Sequence, residues 1–358
     1  DGRPLLATGS DDHTARVWDP LTGTQVSEPL GHDSVVWAVV AFDGPDGQPL
    51  LATGSSDRTV RVWDPLAGVQ VCEPLGHDGW VHAVVAFDGP DGRPLLATGS
   101  SDRTVRVWDP LAGVQVGEPL VRQDGAVHAV VAFDGPDGQP LLATGSSDRT
   151  VRVWDPLAGV QVCEPLGHDG VVWAVVAFDG PDGRSLLATG SSDRTVRVWD
   201  PLAGVQVCEP LGHGGAVHAV VAFDGPDGRP LLATSSDDRT VRVWDPLAGT
   251  QVSEPFGHDS VVWAVVAFDG PDGQPLLATG SSDRTVRVWD PLAGVQVCEP
   301  LGHDGAVHAV VAFDGPDGQP LLATSSDDRT VRVWDPLAGV QVCEPLGHDG
   351  AVHAVVAF

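Results

Sequence analysis

The residues of this 358-residue chain that could do chemistry are histidine, aspartate, serine, threonine and cysteine, and each returns at nearly fixed intervals. Ser, His and Asp within reach of one another can supply a nucleophile, its base and an orienting carboxylate. Here the same set recurs in every unit of the chain, so the pattern meets a repeated structural demand, and its members are consumed in hydrogen bonds within each unit. No phosphate-cradling glycine loop, paired catalytic glutamates, zinc spacing or nucleophile elbow accompanies it. The expectation is a non-enzymatic protein with no catalytic residue and no cofactor.

Metal chemistry is equally weakly encoded. Asp-Gly-Pro-Asp-Gly segments set two aspartates three apart, but that spacing matches no calcium loop and turn chemistry accounts for it. Five histidines at one variable position, His82, His128, His218, His308 and His353, could ligate a transition metal. They alternate irregularly with tryptophans, and the sequence offers no carboxylate evidently placed to orient them. No metal is expected. The five cysteines, Cys72, Cys163, Cys208, Cys298 and Cys343, share one position of the unit, where Ser27, Gly117 and Ser253 stand in three others. On outer strands that diverge from an axis they would lie too far apart to bridge, which predicts free thiols in a reducing, cytoplasmic compartment.

The elements that must position these residues follow from the repeat. The Trp-Asp pair falls at Trp18, Trp63, Trp108, Trp154, Trp199, Trp244, Trp289 and Trp334, in steps of 45, 45, 46, 45, 45, 45 and 45 residues. A fixed period of that size signals a repeat architecture. Within the unit 43–87, four segments read as strands: PLLAT (49–53), TVRVW (59–63), VQVCE (69–73) and VHAVVAF (81–87). Gly44-Pro45-Asp46-Gly47, Ser56-Asp57-Arg58-Thr59 and Asp64-Pro65-Leu66-Ala67-Gly68 punctuate them, and Pro or Gly interrupts every stretch long enough for an amphipathic helix. A four-stranded sheet with apolar inner strands cannot stand alone. Stacking such sheets around an axis buries both faces, which predicts an all-β propeller of four-stranded antiparallel blades.

Residues 1–30 supply the second, third and fourth strands of a unit, and 351–358 a first strand without successors. Head and tail would complete one blade, giving a single domain over 1–358 that closes as a monomeric ring of eight, with His348 beside Thr8, Asp12 and Trp18.

Gly76-His77, Thr98, Asp102 and Trp108-Asp109 closely resemble the Gly-His to Trp-Asp signature of WD-repeat propellers, and the likeness covers all eight units. The resemblance implies a hydrogen-bonded set inside each blade. Its members would be Thr8, Asp12, Trp18 with His348; His32, Thr53, Asp57, Trp63; His77, Thr98, Asp102, Trp108; Gln123, Thr144, Asp148, Trp154; His168, Thr189, Asp193, Trp199; His213, Thr234, Asp238, Trp244; His258, Thr279, Asp283, Trp289; and His303, Thr324, Asp328, Trp334. A carboxylate in a tight turn packed between sheets needs donors, and imidazole, hydroxyl and indole supply them. In the fourth unit one inserted residue puts Gln123 in place of the histidine, so that blade is expected to be the least stable.

Where near-identical units differ, function is sought. The residue after an invariant Val is Trp37, His82, His128, Trp173, His218, Trp263, His308 or His353, with Trp80 adding one more indole. In WD-repeat proteins this position lies near the mouth of the central channel, on the face most used for partners. The resemblance therefore implies a binding face there, with Arg58, Arg103, Arg149, Arg194, Arg239, Arg284 and Arg329 nearby and His13 in the first unit. Aromatic and arginine residues are the usual interface anchors. The opposite face should be acidic, with 23 aspartates from its loops against Arg3, Arg93, Arg184 and Arg229.

With 20 arginines, no lysine and 49 acidic residues, the net charge is −29, which disfavours nucleic acid and anionic lipid as partners. The longest apolar runs, such as 171–178, are too short to cross a bilayer. The resulting expectation is an interaction scaffold or sensor module for a protein or peptide, as similar arrays in bacterial proteins are, with a multivalent small-molecule or glycan binder as the alternative. Near-identity of the units points to recent amplification or deliberate construction.

Overall fold

The strand Thr59–Asp64 has Val60 and Val62 buried on one face and Trp63 on the other, with Thr59 and Arg61 half-buried, so both faces must meet other sheets. It lies between Pro49–Ser55, nearly all buried, and a short outer strand, Val69–Gln70. The innermost strand, Val36–Asp43, completes an antiparallel blade, and the pattern repeats in eight sheets. The structure, a computed structural model, describes residues 3–120 and 124–358; among them there is no helix, and hence none long and apolar enough to cross a membrane.

The outer strand departs from the sequence expectation. VQVCE is not one run: only Val69–Gln70 pairs as a strand, and a second short piece, Leu75–Gly76, returns to the third strand at Thr59 and Val60. Pro74 has no N–H to give to a ladder, and the Gln70 side-chain amide donates to the Cys72 carbonyl, bending the chain away.

The core lies between blades. Ala52, Val60, Val62 and Leu75 of the second blade pack against Val81, Leu96 and Trp108 of the third, and equivalent clusters recur around the ring. No blade has a core of its own, so each depends on both neighbours. In the first blade the strand Val352–Ala357 pairs antiparallel with Leu6–Ser10, aligning Leu6 with Ala357 and Thr8 with Val355. Reciprocal backbone bonds between Leu5 and Phe358, at 2.8 and 2.9 Å, extend that pairing and close the eight-bladed ring.

Candidate functional site

The repeated His, Thr, Asp and Trp residues form a continuous chain of hydrogen bonds. In the second blade Trp63 Nε1 donates to Thr53 Oγ1 at 2.8 Å, Thr53 Oγ1 lies 2.7 Å from His32 Nε2, and His32 Nδ1 lies 2.7 Å from Asp57 Oδ2. A carboxylate only accepts, so Nδ1 carries a proton toward Asp57, while Nε2 and the threonine hydroxyl share the second bond. The other carboxylate oxygen accepts from the Thr59 hydroxyl and N–H. The same bonds link His77, Thr98, Asp102 and Trp108, and recur in the blades of His168, His213, His258 and His303. In the first blade His348 reaches across the closure to Thr8 at 2.8 Å and Asp12 at 2.9 Å, while Trp18 donates to Thr8. Trp154 donates to Thr144 and Asp148 accepts from Thr150, but Gln123 lies outside the described residues.

Hydroxyl, imidazole and carboxylate thus stand in the order a hydrolase would use. The hydroxyl, however, is fully buried and already accepts the indole N–H, and the imidazole is sealed, so no substrate carbonyl can approach. Thr98→Val keeps the shape and strands two buried groups, the Trp108 N–H and His77 Nε2. We expect a loss of about 2–4 kcal/mol, measured as a shift of the urea midpoint; a loss below about 0.5 kcal/mol would refute the structural role.

The variable residues are all placed by one device. Between Val36 and Ala38 the pairing register slips, so Trp37 sits at a β-bulge, and the same slip falls at His82, His128, Trp173, His218, Trp263 and His308. The closing strand has it at His353. A bulge re-aims the side chain it carries. Seven of the eight bulged rings are tied to the turn between second and third strands, four of them through serine: Trp37 donates to Ser56 Oγ at 2.6 Å and Trp263 to Ser282 Oγ at 2.7 Å, while His82 and His128 bond Ser101 and Ser147. Trp173 makes no such bond among the described residues, because Ser192 Oγ takes the Val171 N–H instead.

The sequence suggested no carboxylate for these histidines, and the structure corrects this. His218, His308 and His353 bond Asp237, Asp327 and Asp11 at 2.7–2.8 Å, where the turn carries Asp in place of Ser. Even so, no group of three or more ligating side chains suited to a metal occurs among the described residues.

The rings form two arcs at the starts of the innermost strands. One runs His218, Trp263, His308, His353, Trp37 with centroid steps of 4.4, 6.3, 5.3 and 4.5 Å; the other runs His82, His128, Trp173 with steps of 5.1 and 4.5 Å. Trp37 and His82 are not brought together, nor are Trp173 and His218. Trp80 stands outside the arcs, touching His82 and half exposed. Burial pushes the His82 and His128 imidazoles down, His128 to about 4 with His82 beside it.

Arg58, Arg103, Arg149, Arg194, Arg239, Arg284 and Arg329, with His13, lie exposed two residues beyond the Ser or Asp at this turn position, all at φ of 66–73°. At the lower end, Asp64 Oδ1 accepts from the Leu66 and Ala67 N–H groups, so those aspartates serve their own turns. The five cysteines are free and half-buried, and burial pushes their thiols up.

A family model described as "WD domain, G-beta repeat" matches residues 1–19, 23–64, 68–109, 118–155, 159–200, 204–245, 249–290 and 294–335. No curated protein matches the chain. Among solved structures, that of the computationally designed Ika8 protein is similar: 26% identity, covering 92% of this chain and 93% of that chain, with a TM-score of 0.76.

Proposed function

Because the chain belongs to the WD40 family, whose propellers are commonly protein-interaction scaffolds, we propose that it is a non-enzymatic scaffold or sensor module that binds a protein or peptide across the mouth of its channel. The observation that carries this is the set of bulges, one per blade, that turn the variable aromatic residues onto one face while the rest of each blade is held constant. Indoles at Trp37, Trp173, Trp263 and Trp80 offer large rigid contact area at low entropic cost, and the ring beneath them is braced by interblade packing. The reactive-looking His, Thr and Asp are sealed within the blades, which supports binding over turnover.

Capture from the source lysate, comparing the protein with its Trp37→Ala/Trp173→Ala/Trp263→Ala variant, tests the reading. A partner retained by the first and lost by the second is expected, with affinity falling at least about tenfold. Equal capture by both would refute it.

A second reading has one observation in its favour. On the lower face, clefts open between neighbouring blades: Phe133, Asp134 and Pro136 face Arg184, Ser185 and Leu202 around about 390 Å³. A related cleft of about 480 Å³ lies between Arg3, Leu5 and Phe358 and the Gly47, Gln48, Pro49 and Leu66 side. Small-molecule binding there would approach one ligand per blade, whereas a partner at the mouth binds once per ring, so stoichiometry separates the two.

A further inference from the structure

The blade pattern breaks once on the lower face. Ser185 stands where the other seven units carry proline, as at Pro140 and Pro230. It opens the second strand of the fifth blade, Ser185–Ser191, and its hydroxyl donates across the junction to the Asp134 carbonyl of the fourth blade at 3.2 Å. Beside it lies the cleft of about 390 Å³, whose apolar lining is Phe133 and Pro136 from one blade and Leu202 from the other. A serine takes less of that space than a proline ring would.

The charges around this cleft have not been spent on the fold. Asp134 and Asp179, which line it, end the innermost strands of the fourth and fifth blades and are both exposed. The turns that follow are closed by backbone alone, Gly135 N–H to the Gln139 carbonyl and Gly180 N–H to the Arg184 carbonyl, both at 2.8 Å. Among the described residues neither carboxylate takes a hydrogen bond or an ion pair. Arg184 also lines the cleft, but Asp182 at 2.6 Å and Asp200 at 3.5 Å already hold it. The wider surface has the same sign: the described lower loops carry 22 aspartates against Arg3, Arg93, Arg184 and Arg229, the last three of them paired. Such a face draws cations and repels phosphate backbones and anionic lipid.

We propose that this cleft is a second docking surface, separate from the mouth, for a basic protein segment. An apolar side chain of the segment enters between Phe133 and Leu202, and lysine or arginine side chains on either side of it meet Asp134 and Asp179. The apolar walls exclude water around the anchor, while the carboxylates steer the segment and fix its register. A small polycation would meet the carboxylates and leave the apolar walls bare, so the anchor residue is what marks a protein segment. Because Ser185 occurs in one unit, the segment binds once per ring.

A labelled peptide of lysines flanking leucine, titrated against the whole chain at physiological salt, should bind once per ring and at least about tenfold tighter than a lysine–serine peptide of equal charge. D134N/D179N and L202S should each weaken it at least about tenfold, with the urea midpoint unchanged because these exposed side chains hold nothing in the fold. E164Q/E209Q removes two exposed charges from the outer edges of the same two blades and should bind within about twofold of the parent, since distant charges are screened. The variant lacking Trp37, Trp173 and Trp263 should bind the peptide as the parent does, which separates this site from the mouth. No binding by the parent, equal binding of the two peptides, a stoichiometry near one per blade, an equal loss in E164Q/E209Q, or a loss in the tryptophan variant would each overturn the proposal.

Discussion

A chain ending at Gly350 should lose its cooperative unfolding transition, or unfold at least about 5 kcal/mol more easily, because residues 351–358 are the innermost strand of the first blade. Val352 is fully buried with Leu6 and Trp18 in the cluster shared with the eighth blade, and Val355 and Ala357 pack against it. Val356 and Phe358 serve the cluster on the other side, with Ala7, Leu51 and Trp63. The truncation would therefore open two interblade cores at once, and fully burying a Val or Phe side chain is worth about 1.5–3 kcal/mol. It would also free the Leu6–Ser10 edge and the Leu5 backbone groups now bonded to Phe358. Urea unfolding followed by tryptophan fluorescence measures the effect. A truncated ring with the parent's midpoint would mean that the closure is not where the fold is held.

Acid should unfold the protein steeply below about pH 4. Burial alone would push the carboxyls of Asp12, Asp57, Asp102, Asp193, Asp238, Asp283 and Asp328 up, but bonds from histidine, threonine and a backbone N–H outweigh it and hold them below the usual range. Asp193, Asp238 and Asp328 come down to about 2 from the ordinary 3.8. A carboxyl whose folded value is depressed stabilises the fold fully above its unfolded value, and that contribution is lost as pH falls through the folded one. The window thus runs from about 4 down to about 2, at on the order of 2 kcal/mol for each of those three groups. Buried imidazoles add a shallower decline at higher pH. His128, His168, His213 and His303 are held neutral by burial, so the unfolded chain takes up their protons first as pH drops below 6.5. Urea midpoints at fixed ionic strength should fall slightly from pH 7 to 5 and sharply from 4 to 3; a flat profile across the lower range would show that these carboxylates are not held as described.

Much of this was legible because the chain states each blade eight times. The Trp-Asp period gives the blade count, the turn residues delimit the inner strands, and the head-to-tail complementarity of 1–30 and 351–358 predicts that the two ends share one blade, where Leu6 pairs with Ala357. The outer strand was misread because β propensity in Val69–Glu73 is overridden by Pro74 and by a side-chain bond from Gln70 to the backbone, neither of which leaves a periodic trace. The bulges were invisible for a similar reason: one residue out of register changes no residue type. The partnership of Asp11, Asp237 and Asp327 with His353, His218 and His308 did leave a signal, since Asp replaces Ser only in blades whose bulged residue is His. Reading two variable positions together would have found it.

The broken outer strand has a further consequence. A molecule made wholly of β-sheet exposes the rim of every sheet to other chains, and long flat rims seed fibrils. Here the outward rim of a blade is two two-residue pieces separated by four residues that end in Glu-Pro, or in the third blade one such piece and a single bridge at Leu120, too short and too bent to template another strand. The inward rims, from Val36–Asp43 to Val352–Ala357, face one another across the central channel, where no neighbouring molecule can lie alongside them. Resistance to self-association is thus built into the same proline that interrupts the ladder, and replacing it by a residue with an N–H would trade solubility for one more backbone bond.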